Sequence, residues 1–525
     1  MTNPMMTGFA CLALGLGSLA APGLASAAAP AGVGTTYYVD SQAGDDGQAG
    51  TRPEHAWKSL AKVNAARFAP GDRILFKAGT RQAGELRPQG SGREGQPIRI
   101  GTYGEGGRPR IDGGGIPATV TLHNVEYWEV EGLEITNTGT ARAPRNGVKV
   151  TLEDFGTAHH LQLRNLYIHD VNGTNVKKDG GGAGISWNNW GNKVKSRFDG
   201  LLIENCRLVR TDRNGISGGG YADRSKWHPS LNVIIRGNLI EDFGGDGIVP
   251  IGTDGCLVES NVLRRGRQRA EDYACGIWPW GCDNTVIQHN EVSGMKGVKD
   301  GQGFDSDYNC RNSLFQYNYS HDNEGGFLLV CNFAPKGGDA GTFGNTGTVV
   351  RYNISQNDGT PNAGTLGHLI SLQGPVKDVK IYNNVIYVPK TKSGLQMVNT
   401  WVTDDGPPEN VRWANNLFYA EPETAVGWMN GGSWKVTFDN NLFFGNKFQL
   451  PQGTAWITAD PLLVNPGSGQ DGVASLGGYQ LKAGSPCRGA GQVIPDHGGR
   501  DFWGNPLPAA AGGQPAIGVH EPLRP

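Results

Sequence analysis

Residues 231–251 read Leu-Asn-Val-Ile-Ile-Arg-Gly-Asn-Leu-Ile-Glu-Asp-Phe-Gly-Gly-Asp-Gly-Ile-Val-Pro-Ile. A strand of period two runs into a polar corner, a second short strand and a glycine-rich corner. The phrase around Asn238 returns along the chain. It reads Leu-Arg-Asn165-Leu, Ile-Glu-Asn205-Cys, Glu-Ser-Asn261-Val, Gln-His-Asn290-Glu and Gln-Tyr-Asn318-Tyr. It continues as Arg-Tyr-Asn353-Ile, Tyr-Asn-Asn384-Val, Ala-Asn-Asn416-Leu and Asp-Asn-Asn441-Leu, at intervals of 23 to 40 residues. A unit of a few tens of residues with elastic spacing is the mark of a solenoid, whose insertions fall in loops.

The units are too rich in β-branched residues and glycine for helical repeats. They predict an all-β, right-handed parallel β-helix whose coils occupy residues 95–450, each strand lying about 4.8 Å from its counterpart in the coil before. An asparagine recurring at one corner can stack as an amide ladder and tolerate left-handed backbone geometry. These asparagines are therefore expected to be structural.

The ends differ from the coils. Residues 1–27 carry no charged side chain, include the apolar run 9–21 and finish in Ala25-Ser26-Ala27. This predicts a signal peptide cleaved after about Ala27 and a secreted or periplasmic protein. Residues 28–94 are expected to form an N-terminal cap and first coil, with a short capping helix over Ala56–Asn64. Residues 451–525, irregular and rich in Pro and Gly, are expected to form a C-terminal cap that wraps the other end. No later segment reaches the eighteen or so apolar residues of a membrane span.

Charge is nearly balanced, 47 basic against 49 acidic residues. That disfavours nucleic acid, which calls for a clustered basic face, and leaves a poly- or oligosaccharide as the expected partner. The sequence carries no signal for an oligomeric state. Of the eight cysteines, seven follow residue 27, and Cys282 and Cys310 each precede a ladder asparagine by eight residues. A Cys282–Cys310 disulfide between neighbouring coils is one expectation, stacked thiols the other.

The opening Tyr37-Tyr-Val-Asp-Ser-Gln-Ala-Gly-Asp-Asp46 with Pro70-Gly-Asp resembles secreted bacterial β-helix proteins of carbohydrate metabolism. So does the close, with Asp460-Pro-Leu, Tyr479-Gln-Leu-Lys-Ala-Gly-Ser-Pro and Ala516-Ile-Gly-Val-His-Glu521. The resemblance is to the pectate-lyase-like superfamily, which holds polysaccharide lyases, glycoside hydrolases and epimerases. It implies the fold and leaves the reaction open.

A set of Gly-Ile or Gly-Phe strands can be stacked on one another: Gly184-Ile, Gly215-Ile, Gly247-Ile, Gly276-Ile, Gly303-Phe and Gly326-Phe. With the Ile or Phe inward, the neighbours point outward. One outward column then holds Ser186, Ser217, Val249, Trp278, Asp305 and Leu328, and a second Asn188, Trp280, Asp307 and Val330. The column before the glycines holds Asn214, Asp246, Cys275, Gln302 and Gly325. Carboxylates, amides and tryptophans on one face suit a groove for a sugar chain.

Asp305 and Asp307 lie two apart on one strand face, their Cα atoms about 6.6 Å apart. Glycoside hydrolysis needs two carboxyls roughly 5–5.5 Å or 6.5–9.5 Å apart, and the longer, inverting separation matches this spacing better. Asp246, Asp300 and Glu324 are further candidate acids. Trp278, Trp280, Gln302, His321, Lys299 and Arg267 are candidate sugar contacts, and Arg264, Arg265, Arg267 and Arg269 form a basic loop suited to an acidic sugar.

Three functions compete. A glycoside hydrolase would use these acids as general acid and base without a cofactor. A polysaccharide lyase would instead place Ca²⁺ on Asp300, Asp305 and Asp307 and use Lys299, Lys296 or an arginine as base. A non-catalytic glycan-binding solenoid would have no use for a tight carboxylate pair.

Overall fold

The computed structural model describes residues 34–333, 343–363, 367–430, 436–445, 456–508 and 513–523. The expected signal peptide lies outside them. Strands stack coil on coil into three parallel faces. One face is a 16-stranded sheet running from Thr36–Val39 to Val436–Asp439, and the next a 14-stranded sheet from Arg81–Ala83 to Trp456–Ile457. The third comes as two five-stranded pieces.

Register explains the core. Ile235, Val258, Ile287, Phe315, Val350, Ile381 and Trp413 pair in turn down the first face. All are buried, and each such side chain contributes about 1.5–3 kcal/mol relative to an exposed one. Identical positions fill one interior column because a parallel, in-register strand repeats its inward face in every coil.

The asparagine ladder runs from Asn238 to Asn441. Each Oδ1 accepts from both the backbone N–H and the Nδ2 of the preceding rung at 2.9–3.1 Å, through 261, 290, 318, 353, 384, 416 and 441. The left-handed residue is the one before each rung, such as His289 (φ 54°) or Tyr317 (φ 56°), rather than the rung itself. That turn swings the following amide into the interior. Asn165 and Asn205 occupy this left-handed position (φ 52° and 54°) and so stand one residue out of the ladder. Cys206 fills the rung instead, its N–H donating to Asn238 Oδ1 at 2.9 Å.

At the N-terminal end Thr36–Val39 pairs with Arg73–Lys77, so the solenoid starts earlier than the first predicted coil. The helix is shorter than expected, Leu60–Ala65, because Ser59 caps it by accepting from the Lys62 N–H. Trp57 is left in a bridge to Val39. The C-terminal segment does more than wrap an end. Leu476, Tyr479, Leu481 and Ile517 pack on Tyr319, Tyr352, Val385 and Leu417, along the flank of the later coils. Tyr479 Oη donates to Gln356 Oε1 at 2.6 Å and the Val473 N–H to Glu291 Oε2 at 3.3 Å.

The Cys282–Cys310 disulfide is not formed; all seven described cysteines are buried thiols. Asp283 and Arg311 are in register, so Cys282 and Cys310 lie side by side in neighbouring coils. Their parallel Cβ atoms stand about 4.8 Å apart, wider than the 3.5–4.5 Å a disulfide requires. Cys282 instead donates to Trp280 O at 3.3 Å and Cys310 to Pro279 O at 3.3 Å.

Candidate active site

The third face breaks at one coil. Residues 274–280 pair with the neighbouring coils through isolated bridges rather than a strand ladder: Ile248 to Ile277, Ile251 to Trp280, Ala274 to Asp300 and Ile277 to Phe304. Pro279 in this coil lacks a ladder N–H. Below the break Ile185, Ile216 and Ile248 are in register, and above it Phe304, Leu328, Ile370 and Val398. The last predicted column slips by one residue: Phe304 pairs with Leu328, not Phe327, and Asp305 with Leu329. The cause is local, since the N–H groups of both Phe327 and Leu328 donate to Leu369 O.

The outward columns do not face open solvent. Residues 176–179 and 271–273 rise on one side, and Leu329, Cys331, Phe333, Gln373 and Trp401 on the other. They enclose a cleft of 1290 Å³ with Trp278, Trp280, Asp300, Asp305, Asp307 and Tyr308 in its lining. Three carboxyls of the coil itself, Asp300, Asp305 and Asp307, therefore share one concave site.

Their environments differ. Asp305 is 3 % exposed, and burial, followed by the charges of Asp307 and Asp300, pushes its pKa well above the ordinary carboxylate value. Burial also raises Asp307, but the Tyr308 N–H (2.7 Å) and the Cys331 thiol (3.2 Å) both donate to its Oδ1 and oppose the shift. Asp300, half-buried at a corner, is lifted to about 7, mainly by burial; Lys177 pulls it down, and Asp307 and Asp246 add to the lift. The three acids are thus separated by environment: one held neutral, one assisted toward charge, one poised near neutrality. Ligand atoms of Asp305, Asp307 and Cys331 all lie within 4.8 Å of one another. Asp305 and Asp307 accordingly approach more closely than their Cα spacing suggests, and the inverting separation expected from that spacing does not describe this pair.

Beneath the cleft lies a buried charge network. Asp246 is fully buried and absent from the lining, so it does not meet a substrate. Its Oδ2 pairs with Arg213 Nη1 at 3.0 Å, and its Oδ1 accepts from Trp278 Nε1 and the Cys275 N–H, each at 3.0 Å. Arg213 also reaches Asp272 Oδ1 (2.9 Å) and Tyr273 O (2.8 Å), and the Lys177 N–H donates to Asp272 Oδ2 at 2.6 Å. Both loops of one cleft wall are therefore tied to the coil through a single guanidinium. Lys177 Nζ lies 3.7 Å from Asp246 and 4.8 Å over the Trp278 ring. Burial acts against its ammonium, yet Asp246, with Asp307 and Asp300, holds its pKa above the ordinary lysine value. This cation covers the Trp278 face from which sugar stacking was expected.

Other expected residues stand elsewhere. Glu324 binds Lys296 Nζ (2.9 Å) and the Gly297 N–H, outside the cleft. His321 stacks on Tyr319 at 4.4 Å and bonds Asp322 at 2.7 Å, in the corner beneath the C-terminal segment. Gln302 is buried, within 3.4 Å of Cys275 Sγ. Lys299 donates to Glu271 O, and Arg267 to the Lys296 and Asp272 carbonyls, each at 3.0 Å; they brace the wall from behind. Arg264 pairs with Glu291, and Arg269 with Asp212 and Asp242, so the basic loop is spent on the fold.

Sequence reasoning missed Lys177, Tyr273, Cys331 and Trp401. Lys177 comes from the long interval between Asn165 and Asn205, whose excess length was the available signal; Tyr273 sits in a coil of ordinary length and gave none. Cys331 follows Phe327 on a site strand, and placing it over Asp307 required the one-residue slip. Asp305 and Asp307 group with the Cys331 thiol rather than with Asp300, so the all-oxygen set Asp300, Asp305 and Asp307 expected for calcium is not gathered at one point.

Comparison with known proteins agrees with this fold. A family model described as "Right handed beta helix region" matches residues 146–338. A lacto-N-biosidase from Bifidobacterium longum subsp. longum is 30% identical over 93% of this chain. The chain spans only 36% of that relative's length. Among solved structures, the GH136 lacto-N-biosidase from Eubacterium ramulus is 25% identical, with a TM-score of 0.56 over 77% of this chain and 68% of that one. The complex of XylC with xylose covers 93% of this chain and 99% of its own at 11% identity and TM-score 0.50, a likeness of fold alone. The chain is a right-handed parallel β-helix.

Proposed function

We propose that this chain is a glycoside hydrolase that cleaves an oligosaccharide in the Asp300–Asp307 cleft, with an activity of the GH136 lacto-N-biosidase type. The observation that carries the reading is the division of labour among three carboxyls lining one cleft. Likeness to the two lacto-N-biosidases supports it.

In this reading Asp300, protonated to about pH 7, donates to the glycosidic oxygen as the C–O bond breaks. Asp307, aided toward charge by the Tyr308 N–H and the Cys331 thiol, meets the positive charge that develops at the anomeric carbon. Asp305, neutral and buried beside it, offers a hydrogen bond without competing charge. Lys177 keeps the local field from protonating Asp307. Water then takes up the glycosyl group and Asp300 recovers its proton. Trp280 and Trp401, on opposite sides of the cleft, supply apolar faces for sugar rings. The expected export from the cell is part of the same proposal.

The test is incubation of the purified chain with oligosaccharides ending in lacto-N-biose and, separately, with uronic-acid polymers. Release of the disaccharide, abolished in Asp307→Asn and unaffected by EDTA, is the expected result. Ultraviolet absorbance from an unsaturated uronate would overturn the hydrolase and favour the lyase.

A further inference from the structure

We propose that Cys331, Asp305 and Asp307 form a binding site for a thiophilic divalent cation of the Zn²⁺ class, open to the cleft.

The geometry is that of a metal triad. Cys331 Sγ lies 3.2 Å from Asp307 Oδ1 and 4.0 Å from Asp305 Oδ1. A tetrahedral zinc with Zn–S of about 2.3 Å and Zn–O of about 2.0–2.2 Å spans S···O edges of about 3.5 Å, between these two distances. The three groups sit on adjacent coils, Asp305 in register with Leu329 and Asp307 one step beyond Ser306–Val330, so parallel pairing fixes their spacing. The fourth position faces the cleft lumen, which all three residues line.

A second observation is independent of this spacing. Asp305 is 3 % exposed, and among the described residues the only group recorded within hydrogen-bonding reach of its carboxyl is the Cys331 sulfur at 4.0 Å. A buried carboxyl with so weak a partner lacks the donors such groups normally find. A cation in the triad would supply what is missing. The thiol selects against Ca²⁺ and Mg²⁺ and for zinc, cadmium or cobalt. Binding displaces the thiol proton and any carboxyl proton into solvent, so affinity rises with pH. The site shares Asp307 with the proposed reaction, and a bound cation would block turnover; metal binding itself does not rest on that reaction.

The experiment is titration of the full chain with Co²⁺ in the absence of glycan, following the thiolate-to-cobalt charge-transfer band, and with Zn²⁺ by competition against a chromophoric chelator. One equivalent of metal with a charge-transfer band is expected. Cys331→Ser should remove the band and weaken Zn²⁺ by at least about 100-fold, since losing even an outer partner costs 10–100-fold. Cys310→Ser, a buried thiol outside the cleft, should keep both. Should Cys331→Ser fail to fold, Asp305→Asn serves, with a similar loss of affinity. No band in the wild type, or a band that survives Cys331→Ser, overturns the proposal. Binding without inhibition of glycan cleavage upholds the metal site and counts instead against Asp307 in the reaction.

Discussion

Arg213 Nη1 lies 3.0 Å from Asp246 Oδ2, and both side chains are 1 % exposed. Arg213 holds this contact from a left-handed backbone (φ 64°) unusual for a bulky side chain. The same guanidinium holds Asp272 and Tyr273 in the cleft wall. Removing one partner of a buried pair leaves an uncompensated charge and costs about 3–5 kcal/mol. Arg213→Met is therefore expected to lower stability by that amount, measured by denaturant unfolding. It should also raise KM more than it lowers kcat, because the wall loosens while Asp300 and Asp307 remain. An unchanged unfolding midpoint would show that the pair carries no net weight.

Asp300 provides a pH signature. Its folded pKa of about 7 lies above the ordinary carboxylate value of 3.8, so between about pH 4 and 7 the folded state holds a proton that the unfolded state has lost. Its contribution to stability therefore falls as pH rises through that window. Unfolding midpoints recorded from pH 4 to 8 should decline less steeply in Asp300→Asn than in the wild type. Glycan cleavage should fall away above about pH 7 in the wild type. In Asp300→Asn that limb should vanish together with roughly 10²–10⁴-fold of the rate.

Asp307→Asn and Asp305→Asn separate two roles. Asp307→Asn removes the charge proposed to face the anomeric carbon and is expected to lower kcat/KM by about 10³-fold or more, with the fold retained by circular dichroism. Asp305→Asn resembles the neutral acid already present and should cost about 10-fold or less. Equal losses in the two variants would reverse the assignment.

His321 titrates in the opposite sense to Asp300. Burial would lower its pKa, but the bond to Asp322 and the Glu291 carboxylate 3.8 Å away outweigh that and raise it to about 9. The stabilisation is complete below about pH 6.5 and lost as pH rises through 9. Because Glu291 also accepts from the Val473 N–H, the C-terminal segment should exchange amide hydrogens faster above pH 9. His321→Gln should flatten that dependence.

Asn318 tests the ladder. It donates to Ile287 O and to Asn353 Oδ1, and accepts from the N–H and Nδ2 of Asn290, wholly buried. Asn318→Ala orphans several of these partners and should cost roughly 2–4 kcal/mol, seen as local loss of hydrogen-exchange protection in the two flanking coils.

The coils were legible because an interior column writes the same residue type into every repeat; Ile248, Ile277 and Phe304 could be aligned by eye. Asp300, Asp305 and Asp307 were legible for the same reason, since strand register puts them at known places on a face. Asp246 shared that face and was misread, because its partners Arg213 and Lys177 come from corners whose course the repeat does not specify. Lys177 was invisible for the same reason, since an insertion carries it over the site, whereas Trp401 ends the strand Leu395–Trp401, in register with Gln373 and beyond the strands that were aligned. The αL position was placed one residue late because Asn serves both the turn and the rung, as the pairs Asn383-Asn384 and Asn415-Asn416 show. The Cys331 contact was lost to a one-residue difference in register between the two site strands.

The C-terminal segment has a consequence for how the chain is made. Each coil can settle on the one before it as it leaves the ribosome. The aromatic stripe of Tyr319, Tyr352 and Tyr387 has no cover, however, until Tyr479 and its neighbours have followed. A chain interrupted before Tyr479 would be a well-stacked solenoid with a sticky flank.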